Sequence, residues 1–204
     1  MAIVSHEHGF IFCKTRKTAG TSLEVYLARR CAPTDIVTPI HPPNPEHQPR
    51  NHRGKLFYNH MSLARIEEII GGEVFHRYFK FCVERHPVEK CLSDYAMQTQ
   101  SVAHISESSP NSWDDYVRRR EFPVDYRKYT TSDGRVLADK IYRYEELEAM
   151  LADLSARFGW PNQPLDVGEK TGFRGSAPTL DEVTVGQRQI ISKAFRSSLL
   201  LVPY

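Results

Sequence analysis

Two short segments carry residues whose types and spacing suit the binding of an anion. The first is Cys13-Lys14-Thr15-Arg16-Lys17-Thr18-Ala19-Gly20-Thr21-Ser22. It follows an apolar run, Gly9-Phe10-Ile11-Phe12-Cys13, that reads as a buried strand. It leads into Leu23, Tyr26 and Leu27, which recur at helical spacing. Backbone amides at a helix start form an anion nest, and the helix dipole adds favourable potential. Thr18, Thr21 and Ser22 offer hydroxyl donors, and Lys17 offers a mobile charge suited to charge that builds on a leaving oxygen. Gly20 lets the backbone come close to a ligand. The nucleotide triphosphatase loop ends in Gly-Lys-Ser/Thr, whereas here the lysine precedes the glycine, so that motif is absent. By itself the pattern fits either an anion site or an ordinary capped helix with a solvated lysine.

The second segment is Phe81-Cys82-Val83-Glu84-Arg85-His86-Pro87-Val88-Glu89-Lys90-Cys91-Leu92-Ser93. A strand is expected over 78–83, with Pro87 at a helix start. Arg85 offers phosphate a planar fork, and Ser93 lies two helical turns beyond Pro87. A third stretch, Lys140-Ile141-Tyr142-Arg143-Tyr144-Glu145-Glu146-Leu147, contains a strand followed by a helix start. Its Arg143 either braces loops through ion pairs or faces a bound anion.

These segments together resemble the sulfotransferase superfamily, and in particular its carbohydrate-type, sulfotransferase family 2 branch. Ile11 to Ser22 resembles the 5′-phosphosulfate-binding segment, usually an apolar strand followed by Pro-Lys-Thr-Ala-Gly-Thr-Ser, with Arg16 standing where proline is common. The Arg85 segment resembles the one that holds the 3′-phosphate, which assigns that role to Arg85 and Ser93. The third stretch resembles the family's Arg-Tyr-Glu-Asp-Leu region, and Lys170-Thr171-Gly172-Phe173-Arg174-Gly175 sits where the family often has a late basic loop. The resemblance implies 3′-phosphoadenosine 5′-phosphosulfate as donor, 3′-phosphoadenosine 5′-phosphate as product, and no metal. It puts Arg16, Lys17, Thr18, Ala19, Gly20, Thr21, Ser22, Arg85, Ser93, Arg143, Lys170 and Arg174 on the donor. Transfer to a hydroxyl or amine also needs a base. Tyr58-Asn59-His60-Met61-Ser62 resembles the family's His-centred segment, so His60 is expected to be the base and Lys17 its catalytic partner. The other reading of His60 is that it caps or buttresses a helix start. His86, beside Arg85, is the competing histidine.

The elements that must position these residues follow from periodicity. A helix is expected over 62–71, with Leu63, Ile66, Ile69 and Ile70 on one side and Gly71-Gly72 as its stop. Val88, Cys91, Leu92, Tyr95 and Ala96 form a helical stripe. Ser112 caps a short helix carrying Trp113, Tyr116 and Val117. A strand within 139–144 precedes a helix over 145–158. Thr179 and Glu182 form a capping box for a last helix carrying Val183, Ile190, Ile191, Ala194 and Phe195. Strands alternating with helices imply an α/β fold, one domain over 1–204 with a central parallel sheet flanked by helices, and ligands at the carboxyl ends of the strands. The resemblance adds a P-loop-like, adenylate-kinase-like layout.

Residues 38–55 hold five prolines and His41, His47 and His52, which exclude a regular element. The histidines fit no common metal spacing. Together with 102–128 this segment is expected to frame an acceptor, either a small molecule or a carbohydrate, and Arg50, Arg53 and Lys55 hint at an anionic one.

The chain has 204 residues, with 27 basic and 25 acidic side chains and a net charge of +2. That balance argues against a nucleic-acid binder. No apolar run is long enough for a membrane helix and no signal peptide is evident, so a cytoplasmic protein is expected. Cys13, Cys31, Cys82 and Cys91 form no CxxC pair, and Cys13 and Cys82 read as core thiols. Two other classes remain open: a nucleotide or nucleoside kinase, and a non-catalytic anion- or glycan-binding module. Oligomeric state is not legible.

Overall fold

Phe10-Ile11-Phe12-Cys13 is apolar at every position because its strand is covered on both faces, each residue being at most 1% exposed. The protein is described here from a computed structural model covering residues 2–41, 43–54, 56–101, 104–165 and 177–204. Contacts divide the chain into two compact units, Met1–Glu84 with Arg127–Glu169, and Arg85–Tyr126 with Lys170–Tyr204.

The first unit holds a five-stranded sheet. Its strands are β1 (Ala2–Ser5), β2 (Phe10–Cys13), β3 (Ile36–Val37), β4 (Phe79–Glu84) and β5 (Lys140–Arg143), in the order β3-β1-β2-β4-β5. β2, β4 and β5 are parallel, with Cys13 level with Cys82 and Glu84 level with Arg143. The expectation of a wholly parallel sheet is corrected here, because β1 runs antiparallel to both β2 and β3. The four residues between β1 and β2 are too few for a crossover and turn the chain back as a hairpin, with Gly9 at φ 63°. Asp35 fixes that hairpin, accepting from the Ser5 hydroxyl at 2.8 Å and from the amides of His6 at 2.7 Å and Ala32 at 2.8 Å. One reversed strand leaves β3, β2, β4 and β5 pointing the same way, so the carboxyl ends of the last three share an edge.

Among the described residues, the helices of this unit are α1 (Gly20–Ala28), α2 (Leu63–Ile70), α3 (Gly72–Arg77) and, beyond the next unit's helices in the chain, α6 (Leu147–Phe158). All nine residues of α1 are buried. Leu23 and Leu27 of α1 and Met150, Leu151 and Leu154 of α6 join the sheet's Phe10, Phe12, Phe81 and Tyr142 in one core. Phe81 is its centre, with ring centroids 5.2 Å from Phe12 and 5.9 Å from Phe10 and Tyr142. Gly71-Gly72 does not simply stop a helix. Gly71, at φ 85°, ends α2, and α3 begins at once.

The second unit is helical: α4 (Pro87–Gln100), α5 (Trp113–Arg119), α7 (Val185–Ala194) and α8 (Arg196–Leu201). Pro87 stands at the start of α4 and the Ser112 side chain accepts from the Asp115 amide at 3.1 Å, both as expected. The Thr179–Glu182 box closes a 3-10 turn rather than opening the last helix. α7 begins after a second box, Thr184 with Gln187, and Val183 between them is turned into the core at 3% exposure. Val88, Cys91, Leu92 and Tyr95 of α4 pack with Trp113, Tyr116 and Val117 of α5 and Ile191 of α7. Inside this unit Lys90 and Asp125 form an ion pair at 3.0 Å, both fully buried.

Lys90→Met should destabilise the protein by about 3–5 kcal/mol, because it leaves a buried carboxylate without its cation. Adding Asp125→Leu should recover most of that loss. Urea unfolding of both variants checks it.

Candidate active site

The loop between β2 and α1 is held from below by its threonines. The buried Thr15 donates its hydroxyl to the Val83 carbonyl, tying the loop to the end of β4. Thr18, fully buried, donates to the Thr15 carbonyl at 3.2 Å and lies 3.0 Å from the Thr15 hydroxyl. Its hydroxyl, expected to meet a ligand, is therefore spent inside the loop. Lys17 and Ala19 take left-handed backbone conformations, φ 62° and 53°, which cost a non-glycine residue roughly 1–2 kcal/mol each.

Ala19 occupies the N-cap position of α1, and no side chain caps the helix. A helix has no internal acceptor for its first N–H groups, so those of Gly20, Thr21 and Ser22 face outward along the dipole. Thr21 and Ser22 are buried in that first turn, and their hydroxyls make no hydrogen bond to another described residue. Arg16 and Lys17 are half-buried in the same loop. Main-chain donors at a helix start, two hydroxyls and two cations in one loop make this the candidate site for a tetrahedral anion.

Gly20 has a reason the sequence does not show. A Cβ there would lie 2.6 Å from Cε and 2.9 Å from Cγ of Lys14. The Lys14 stem fills the space beside the glycine, and its ammonium reaches Glu24 at 2.8 Å. Glu24 is fully buried and Lys14 is 9% exposed. The pair thus sits beneath the start of α1.

His60 faces the same residue. Its Nδ1 lies 3.2 Å from the Lys14 carbonyl, and its own carbonyl accepts from the Lys128 ammonium at 2.9 Å. A carbonyl only accepts, so Nδ1 carries the proton and Nε2 is left with its lone pair. Burial, then nearby positive charges including Lys14 and Lys128, pushes the imidazole down to about 3, so it is neutral at physiological pH. His60 does not cap the helix. Ser62 does, accepting from the Arg65 amide at 3.3 Å. His60 is instead held at φ 58°, a strained conformation. Arg143 ends β5 level with Glu84 and pairs with Glu146 at 3.1 Å, bracing the turn into α6.

Arg85 opens the second unit. It is 6% exposed and binds Glu89 at 2.8 Å. Glu89 and Ser93 follow at four-residue steps and so share the Arg85 side of α4. Ser93 is half-buried. His86 meets the edge of Tyr204, centroids 5.5 Å apart. Lys170 and Arg174 lie outside the described residues.

The basic hint at Arg50 is corrected. Its guanidinium donates to the carbonyls of Ala28 at 3.0 Å, Cys31 at 2.7 Å and Ala32 at 3.0 Å, closing the negative end of α1. Lys55 is outside the described residues. His47 is buried, at 3% exposure, but no group of three or more His, Cys, Asp or Glu among the described residues is arranged to hold a metal. Among those residues no helix is long and apolar enough to cross a membrane.

A model of the sulfotransferase family matches residues 1–162, and the chain belongs to that family. The family supports a transferase that moves sulfuryl groups. No curated protein and no solved structure matches the chain. The matched span covers the anion loop, His60, Arg85, Ser93 and Arg143, and excludes Lys170 and Arg174.

Lys14, Glu24 and Lys128 are the residues that sequence reasoning passed over. Glu24 had a signal, the one charged residue of α1, flanked by Leu23 and Val25. Lys128 had none.

Gly20→Ala should destabilise the protein by roughly 1–3 kcal/mol through overpacking against Lys14. Gly186→Ala, in the first turn of α7 where no atom lies within 4 Å of the added carbon, should stabilise it by about 0.4–1 kcal/mol, because the unfolded chain loses conformational freedom. Thermal unfolding should show the two substitutions moving in opposite directions.

Proposed function

We propose that this sulfotransferase takes its sulfuryl group from 3′-phosphoadenosine 5′-phosphosulfate and delivers it in line to a hydroxyl or amine of a small-molecule or carbohydrate acceptor. The observation that carries the reading is the uncapped start of α1 behind Lys17, in a chain of this family. The residues fit a 5′-phosphosulfate: first-turn amides at Gly20, Thr21 and Ser22, hydroxyls on Thr21 and Ser22, and cations at Arg16 and Lys17. When bound, the donor supplies the sulfuryl group on its phosphate oxygen. Lys17 then stabilises negative charge on that oxygen, and the α1 amides hold the phosphosulfate in line.

His60 is the proposed base. Its Nε2 accepts the acceptor's proton, while Nδ1–H stays on the Lys14 carbonyl and fixes the ring. An imidazole pushed down to about 3 is a weak base, but an anion in the neighbouring loop raises basicity by offsetting the lysine charges. Arg85 and Ser93 are proposed to receive the 3′-phosphate, with Glu89 aligning the arginine. Arg143 is proposed as a brace beside the donor. No residue of this scheme needs a metal.

The chain is proposed to act as one sulfotransferase domain over 1–204, with a P-loop-like, adenylate-kinase-like donor site. Four free thiols suit a reducing, cytoplasmic setting. A kinase reading is disfavoured by the missing Gly-Lys-Ser/Thr ending of the loop.

Lys17→Ala should lower sulfuryl transfer from labelled donor by about 10²–10³-fold in a folded protein, the scale of losing one preorganised charge at the developing anion. Unchanged turnover would refute the assignment. Arg85→Ala should weaken 3′-phosphoadenosine 5′-phosphate about 10- to 100-fold by calorimetry, as expected for charge-assisted hydrogen bonds.

A further inference from the structure

Lys14 is not among the residues that bind the donor or move the proton in the scheme above, yet three of its parts touch that machinery. Its stem fills the space beside Gly20, the first residue of α1, with Cε 2.6 Å and Cγ 2.9 Å from where a Cβ would stand. Its ammonium binds the buried Glu24 carboxylate, one turn into the same helix, at 2.8 Å. Its carbonyl lies 3.2 Å from His60 Nδ1. The residue is 9% exposed, so water offers it little alternative. Lysine is an expensive choice for a buried position that only fills space, because both its charge and that of Glu24 must be desolvated.

We propose that Lys14 is the positioning residue of the site: through its main chain it sets His60 as the Nδ1–H tautomer with Nε2 available, and through its side chain it fixes that imidazole relative to the anion-binding start of α1. One residue thereby joins the base to the donor loop. The reading of Nε2 as the proton's destination rests on the proposed sulfuryl transfer; the tautomer and the coupling do not.

Charge supports the geometry. Burial is the largest cause that holds the imidazole low, and the charges acting with it include Lys14 and, from the 3-10 turn Tyr126–Lys128, Lys128, both positive. Burial and these charges together keep His60 unprotonated in the free protein. An anion on α1 would offset the lysine charges, which links the basicity of the imidazole to donor occupancy.

The test is nitrogen-15 NMR of the His60 ring in the free protein, with a titration. The wild-type spectrum should show a protonated Nδ1 and an unprotonated Nε2, with no His60 titration down to pH 5. An Nε2–H tautomer, or an ordinary histidine midpoint, would overturn the proposal without recourse to any variant. The double variant Lys14→Met/Glu24→Gln keeps the stem and the carbonyl, removes both charges, and leaves no buried carboxylate behind. Followed below pH 5 as far as both proteins stay folded, its His60 should keep the tautomer while the midpoint rises above that of the wild type, because Lys14, and not Glu24, is among the charges that act on the ring. An unchanged midpoint in a folded double variant would contradict the role of the Lys14 charge. Adding 3′-phosphoadenosine 5′-phosphate to the wild type separates the two readings. Loss of nucleotide binding as an outcome sinks the donor assignment but leaves the Lys14 result standing, whereas binding with a wrong tautomer sinks the Lys14 proposal alone.

Discussion

A helix that begins at a sheet edge without an N-cap side chain has no internal acceptor for its first N–H groups, and in α1 those are the amides of Gly20, Thr21 and Ser22. The helix could not be allowed to drift or fray toward a partner, since its value lies in where those amides point. Its surroundings oblige. All nine residues of α1 are buried, Arg50 closes the carboxyl end, and the Lys14–Glu24 pair lies beneath the first turn. The strain at Lys17 and Ala19 is tolerated because Thr15 and Thr18 lock the loop to itself and to the end of β4.

The sheet contributes direction. With β2, β4 and β5 parallel, the loop after β2, the end of β4 and Arg143 at the end of β5 share one edge. That edge is where parallel α/β sheets bind ligands. The β1–β2 hairpin serves the same end differently. It covers the far side of β2, so that the strand feeding the anion loop is an inner strand with both neighbours in place. Family membership makes the chain a sulfotransferase, and placing its donor at the start of α1 is the proposal that joins the two, a step that geometry alone does not make.

Much of this was legible in local chemistry. Phe10–Cys13, Phe79–Glu84 and the helices after Ser112 and Pro87 declared themselves because their apolar periodicity and caps lie within a few residues. Other features were hidden because their causes are distant in sequence. Ala2–Ser5 lacks the aromatic run of Phe10–Cys13 and becomes a strand where Phe10–Cys13 and Ile36–Val37 pair with it and Asp35 holds its end. Arg50 looked like part of a surface cluster until the end of α1 arrived beside it. Thr179 and Glu182 made a correct capping box on the wrong element, since a second box follows five residues after Thr179. At the site, Lys17, Thr21 and Ser22 were read from a motif, whereas Lys14 stood in the same motif unassigned. Its meaning comes from Glu24 and from His60, which is 46 residues away.

The central claim is that the amides at the start of α1 receive the phosphosulfate end of the donor. Backbone chemical-shift mapping with 3′-phosphoadenosine 5′-phosphate tests it residue by residue. The account predicts the largest shifts at Gly20, Thr21 and Ser22, saturating together with a single affinity. Saturable binding that leaves those three amides unmoved would contradict it.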